Sequence, residues 1–212
     1  MRRIVLFSIF VITILSLIAW IFWREEYRYS LPAVKPEHIS DVTEGDTINL
    51  GELGLPQTDY LFIHFYNYDC PCSRFNIDIF QKMVRHYKGK VSFVAILPGK
   101  GINESEAEWF ISKYDLSIPV IWDADNSITE SLGIYSTPQA MVVNEGRVFY
   151  SGNYNKARFC TTKNTRFAEM ALEAMLNNEP PPHFPVVAEI PYGCELPGNE
   201  SQSKSILKLL VN

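Results

Sequence analysis

Two cysteines flank a single proline in Asp69-Cys70-Pro71-Cys72. A thiolate attacks a disulfide through a mixed disulfide, and a neighbouring thiol can then resolve it. The surroundings suit that chemistry. Leu61 to Tyr66, rich in aromatic and branched residues, reads as a buried strand. After the turn, Phe75, Ile79, Phe80 and Met83 recur at spacings of three and four, which predicts one apolar face of a helix. A helix N-terminus favours a thiolate, so the pair sits where a redox centre belongs. With one intervening residue the ring closed by Cys70 and Cys72 is small. That raises its reduction potential and favours an oxidant or isomerase over a strong reductant. A Cys-x-Cys pair also suits soft Cu(I).

The rest of the chain supplies the scaffold. Four cysteines in 212 residues are too few for a disulfide framework, and a net charge of -5 excludes a basic footprint for nucleic acid. Ile4 to Trp23 is a run of twenty residues interrupted only by Ser8, Thr13 and Ser16. As a helix it would span about 30 Å, a hydrocarbon core. Arg2 and Arg3 precede it, and the charge bias places the N-terminus inside. Trp-Ile-Phe-Trp at its end is a poor cleavage site for a signal peptide. The expectation is a single-pass anchor through residues 4–23 in an inner membrane, with the remainder on the periplasmic side.

The pattern predicts a helix over 71–87, a strand over 91–97 and a helix from Asn103 to Tyr114 with Asn103 as its cap. Strand 117–122, a short helix over 125–132, strands 139–143 and 147–151 about Asn144-Glu145-Gly146, and a helix over 165–176 follow. Thr47 to Leu50 reads as a further short strand. The order predicts an α/β fold, a mixed sheet with helices on both faces. The chain divides into an anchor (1–29), a stalk and edge segment (30–58), a folded domain (59–178) and a proline-rich tail (179–212) that reads as an extended wrap. In the tail, 184–190 is apolar enough to pack on the domain, and 206–211 reads as a short strand or helix.

Over residues 45 to 176 the sequence resembles the thioredoxin-like superfamily, most closely its membrane-anchored periplasmic reductase and redoxin branches. Phe65-Tyr66-Asn67-Tyr68-Asp69-Cys70 follows the strand side of that family's pattern, and Pro71-Cys72 its end. One residue fewer than usual separates the cysteines. Thr137-Pro138 matches the family's cis-proline loop, and Gln139 to Gly146 the hairpin behind it. The resemblance implies a thioredoxin-like domain in which Cys70 attacks, Cys72 resolves and Pro138 shapes a cleft where a peptide adds as a strand. No organic cofactor is implied; the partners are a protein thiol or disulfide and a redox donor or acceptor. His64 stands where the family often keeps a proton-moving acid or asparagine. It is a candidate base for the resolving thiol, with a pKa near the useful range.

Cys160 and Cys194 fall where the family pattern ends. Outside the cytoplasm they would most simply form a structural disulfide strapping the tail down. Either could instead reach Cys70 as a remote resolving thiol, or all four sulfurs could gather round one metal. The leading expectation is thiol-disulfide exchange on extracytoplasmic proteins. Its rivals are a copper metallochaperone using Cys70, Cys72 and His64, and a non-catalytic scaffold in the envelope. A thiol peroxidase is disfavoured, because Tyr66 to Asp69 lacks the hydroxyl residue such enzymes place before their cysteine.

Overall fold

The computed structural model describes residues 2–68, 70–100, 103–114, 116–156 and 162–197, in two compact units divided in sequence between Leu31 and Pro32. The first holds α1 (Arg2–Glu25), a helix of 24 residues with no buried residue, whose most apolar 18-residue stretch has a mean hydropathy of 2.8. By length and composition it is able to cross a membrane.

The second unit is built on a five-stranded mixed sheet. In chain order come β1 (Tyr60–Phe65), α2 (Pro71–His86), β2 (Ser92–Pro98), α3 (Glu104–Lys113), β3 (Val120–Asp123) and α4 (Ser127–Ser131). Then follow β4 (Ser136–Thr137), β5 (Gln139–Asn144), β6 (Arg147–Asn153), α5 (Phe167–Leu176) and β7 (Cys194–Glu195). The sheet order is β3-β2-β1-β5-β6, and β4 pairs with β7 in a separate two-stranded ladder. β1 runs parallel to β2 and antiparallel to β5. This is the α/β arrangement expected, with β1 at its centre.

Alternation along β1 divides the core. Phe62 and Tyr66 join α2, α3 and α5 residues on one face, with Phe80, Ala107, Phe167 and Leu172. Leu61, Ile63 and Phe65 join Leu132, Ile134 and the 48–55 loop on the other. Because β1 is flanked by strands and covered on both faces, its apolar run is nearly unbroken. Phe80 anchors the first face, fully buried with its ring centroid 6.0 Å from that of Phe62 and 5.9 Å from that of Phe93.

Local chemistry explains several boundaries. Glu106 N donates to Asn103 Oδ1 at 3.0 Å while Asn103 N donates to Glu106 Oε2 at 3.1 Å, a reciprocal cap that starts α3. The β5–β6 hairpin turns through Glu145 and Gly146, both at positive φ, as a two-residue loop between right-twisted strands requires.

Four expectations need correction. The buried stripe of α2 is Asn76, Ile77, Phe80, Met83 and Val84, while Phe75 is 43% exposed. Helical spacing gave the period but not the rotation of the face. Thr47 forms only an isolated bridge to Arg147 and starts no strand. The third strand begins at Val120, because Ser117 takes a positive φ that interrupts extended backbone. The tail is not uniformly extended, since Val186–Ala188 is a 3-10 turn and 194–195 a strand. The element expected over 206–211 lies outside the described residues.

Replacing Phe80 by alanine should lower the unfolding free energy of the full chain in mild detergent by about 3–5 kcal/mol. Denaturant titration followed by tryptophan fluorescence measures it.

Candidate functional site

The site forms where three segments converge. Cys70 is the residue before the first turn of α2, in extended conformation (φ -80°, ψ 116°), with Pro71 in that turn. Pro71 has no N–H to leave unsatisfied at a helix start. Cys70 N donates to Asn67 O at 3.1 Å, and Asn67 N donates to Ser73 Oγ at 3.3 Å, which fixes the loop on which the sulfur is carried.

The second segment is the loop into β5. The Thr137–Pro138 peptide is cis, and Phe65 and Gln139 are cross-strand partners. That register brings the loop to the end of β1 from which Cys70 follows. Cys70 Sγ lies 3.5 Å from the Thr137 carbonyl oxygen.

The third segment is the tail. β7 pairs antiparallel with β4, with Thr137 opposite Cys194 and Ser136 opposite Glu195. Cys194 is disulfide-bonded to Cys70, with Cα atoms 5.8 Å apart, well inside the usual range for a bridge. Cys72 remains a buried thiol, and the sulfurs of Cys70, Cys72 and Cys194 all lie within 4.8 Å of one another.

The structure therefore corrects the expected strap. Cys194 joins Cys70 and not Cys160, because the tail folds back along β4 and delivers it to the head of α2. Cys160 lies outside the described residues. The bond present is also not the Cys70–Cys72 ring. The β4–β7 pairing sets Cys194 opposite Thr137, whose carbonyl oxygen lies 3.5 Å from Cys70 Sγ.

His64 is corrected too. It is fully buried on β1, stacked on Phe80 with ring centroids 4.2 Å apart, and its Nδ1 shares a hydrogen bond with the Tyr154 hydroxyl. Burial lowers its pKa to about 3, so near neutral pH it is an uncharged, poor proton acceptor and not a base in the useful range. Among the described residues, the cluster able to ligate a metal is Cys70, Cys72 and Cys194, and His64 is outside it.

Sequence reasoning missed the amides that hold the site. Asn126, buried and left-handed at φ 65°, accepts from Gly99 N at 3.1 Å and Lys100 N at 3.2 Å, and donates to Pro197 O at 2.8 Å. Asn155 Nδ2 donates to Asn76 Oδ1 at 3.2 Å, and Asn76 Nδ2 donates to Cys72 O at 3.1 Å. The Tyr192 hydroxyl donates to Asn155 O at 2.8 Å. A polar chain thus links the tail to the first turn of α2. The only signal in the sequence was a set of asparagines in turns.

A cysteine at a strand-to-helix turn, facing a cis-proline loop in this sheet order, defines a thioredoxin-like fold with a bonded cysteine pair at the head of α2. The chain belongs to the family described as Domain of unknown function (DUF6436), which matches residues 40–195. It is 28% identical over 105 residues to the Thiol-disulfide oxidoreductase ResA of Halalkalibacterium halodurans. The match spans 48% of this chain and 56% of that protein. Among solved structures it is similar to a hypothetical protein of Sinorhizobium meliloti 1021, with a TM-score of 0.61 and 19% identity over 74% of this chain and 96% of that one. A Chlorobium tepidum protein assigned as a Thiol:disulfide interchange protein DsbE gives a TM-score of 0.52 and 15% identity, over 64% and 99% of the two chains. At these identities the two structures speak to the fold.

The depressed pKa of His64 makes stability depend on pH in a definite direction. Between roughly pH 6.5 and 3 the unfolded chain binds a proton there that the folded chain refuses. Its contribution is whole above pH 6.5 and falls as pH drops toward 3. Replacing His64 by phenylalanine should remove about 3 kcal/mol of the loss between pH 7 and pH 4. Urea titrations at both pH values measure it.

Proposed function

We propose that this protein carries out thiol-disulfide exchange on other proteins outside the cytoplasm, with Cys70 as the attacking sulfur. The observation that carries the reading is the disulfide at Cys70, set at the start of α2 against Thr137-Pro138 with a third sulfur within 4.8 Å. Attack by a Cys70 thiolate on a partner disulfide gives a mixed disulfide, and a second sulfur of the trio closes on Cys70 and releases the partner. The ResA likeness supports the same activity. α1 supports an inner-membrane anchor, with residues 32–197 on the periplasmic face. The redox partner is a dithiol or disulfide protein reached from that side.

The test uses the full chain in mild detergent with insulin as the disulfide substrate. Wild type should accelerate reduction by dithiothreitol, and Cys70→Ser should return it to the uncatalysed rate. Retention of wild-type activity by Cys70→Ser would reject the reading. In intact cells, a membrane-impermeant maleimide should label the reduced cysteines if the domain is periplasmic.

The three clustered sulfurs also favour a second reading, in which the reduced protein holds Cu(I) through Cys70, Cys72 and Cys194. Competition against a Cu(I) chelator should then show one-to-one binding that is lost in each single cysteine variant.

A further inference from the structure

We propose that Cys194 is the resolving thiol of this centre, and that residues 193–197 are a tethered strand seated where a partner's cysteine-bearing segment must bind. This rests on the exchange reading above and names the residue that completes it.

Occupancy comes first. Cys70 is 1% exposed, because the tail covers it. The edge of β4 offers main-chain groups beside Pro138, and β7 uses them with Cys194 directly opposite Thr137. An incoming extended segment that presented its sulfur to Cys70 would add to the same edge. The tail and the partner therefore compete for one place.

The seat is shaped for the tip. Gly193 takes φ +111°, and a Cβ there would stand 2.3 Å from the Thr137 carbonyl oxygen. Only glycine lets the strand approach this closely and turn here. Upstream, the base of the tip is firmly held. Asn153 Nδ2 donates to Val187 O at 3.0 Å and Ile190 O at 2.6 Å, and the Tyr192 hydroxyl donates to Asn155 O. Downstream, Asn126 Nδ2 donates to Pro197 O at 2.8 Å and Leu196 is buried. Gly193 lies between that fixed base and the tip, and once the Cys70–Cys194 bond is reduced the tether keeps the Cys194 sulfur at high effective concentration.

The exchange balances without any further reagent. The Cys70 thiolate attacks a partner disulfide. One partner sulfur departs as a thiolate and takes up a proton, and a Cys70–partner bond forms. The Cys194 thiolate then attacks Cys70 Sγ, the mixed disulfide breaks and the second partner sulfur leaves with a proton. The Cys70–Cys194 bond of the structure is the product. Two electrons have passed from the Cys70 and Cys194 thiols to the partner, and a dithiol donor returns them by the reverse exchange. Because the tip re-pairs with β4 as it resolves, closure and partner release are one event.

The test reacts the fully reduced chain, in detergent, with insulin, followed by acid quench, alkylation and mass spectrometry. Cys194→Ser should accumulate the Cys70–insulin adduct, whereas Cys72→Ala should release insulin and end as Cys70–Cys194. Gly193→Ala keeps every sulfur but unseats the tip, and should lengthen the adduct's lifetime roughly tenfold. Accumulation in Cys72→Ala with free release by Cys194→Ser would overturn the assignment. Failure of every variant and of the wild type to join insulin at Cys70 would instead remove the exchange reading beneath it.

Discussion

The antiparallel register between β1 and β5 is the constraint from which this centre follows. Opposing Phe65 to Gln139 brings the residue just after the cis-proline peptide level with the strand end that feeds Cys70. A slip of one residue would turn every β5 side chain to the other face, and Ala140 and Met141 would exchange the two cores they now divide. The sulfur and the loop are thus held together by the same alternation that buries the sheet. Packing and chemistry share one determinant.

The head of α2 adds a second. The unsatisfied N–H groups and positive dipole end of a helix lie at its N-terminus, and Cys70 stands there. Pro71 makes the start sharp, because its missing N–H and fixed φ suit the first helical position. A third sulfur, brought from far along the chain, meets that geometry without unwinding the first turn.

Much of this was legible in the sequence. The apolar run at 61–66, the helix start at Pro71, the hairpin glycine and the capping asparagine are local signals, and each corresponds to an element close to its expected place. The α2 face was misread because Phe75 is apolar yet lies on the outer side, while Asn76 is polar yet buried in a bonded chain. His64 lies inside the run that reads as buried, and the desolvation that follows takes its pKa below the range a base needs. Cys194 was a candidate with two possible partners, Cys160 and Cys70, and the sequence could not choose between them. Its partner is set by a two-residue ladder between segments more than fifty positions apart, and proline content marks the tail as extended without saying where it goes.

One feature of that tail has a consequence for the whole domain. The Cys70–Cys194 bond spans 124 positions of sequence, so most of the sheet lies within a single covalent ring. Closing so long a ring restricts the unfolded chain, worth about 4–5 kcal/mol. Each reduction opens the ring as well as the centre. The protein is therefore more vulnerable to unfolding, and to any protease that cuts unfolded chains, while it is reduced than while it is oxidised. Its lifetime in the cell would then depend on how long it dwells in each redox state.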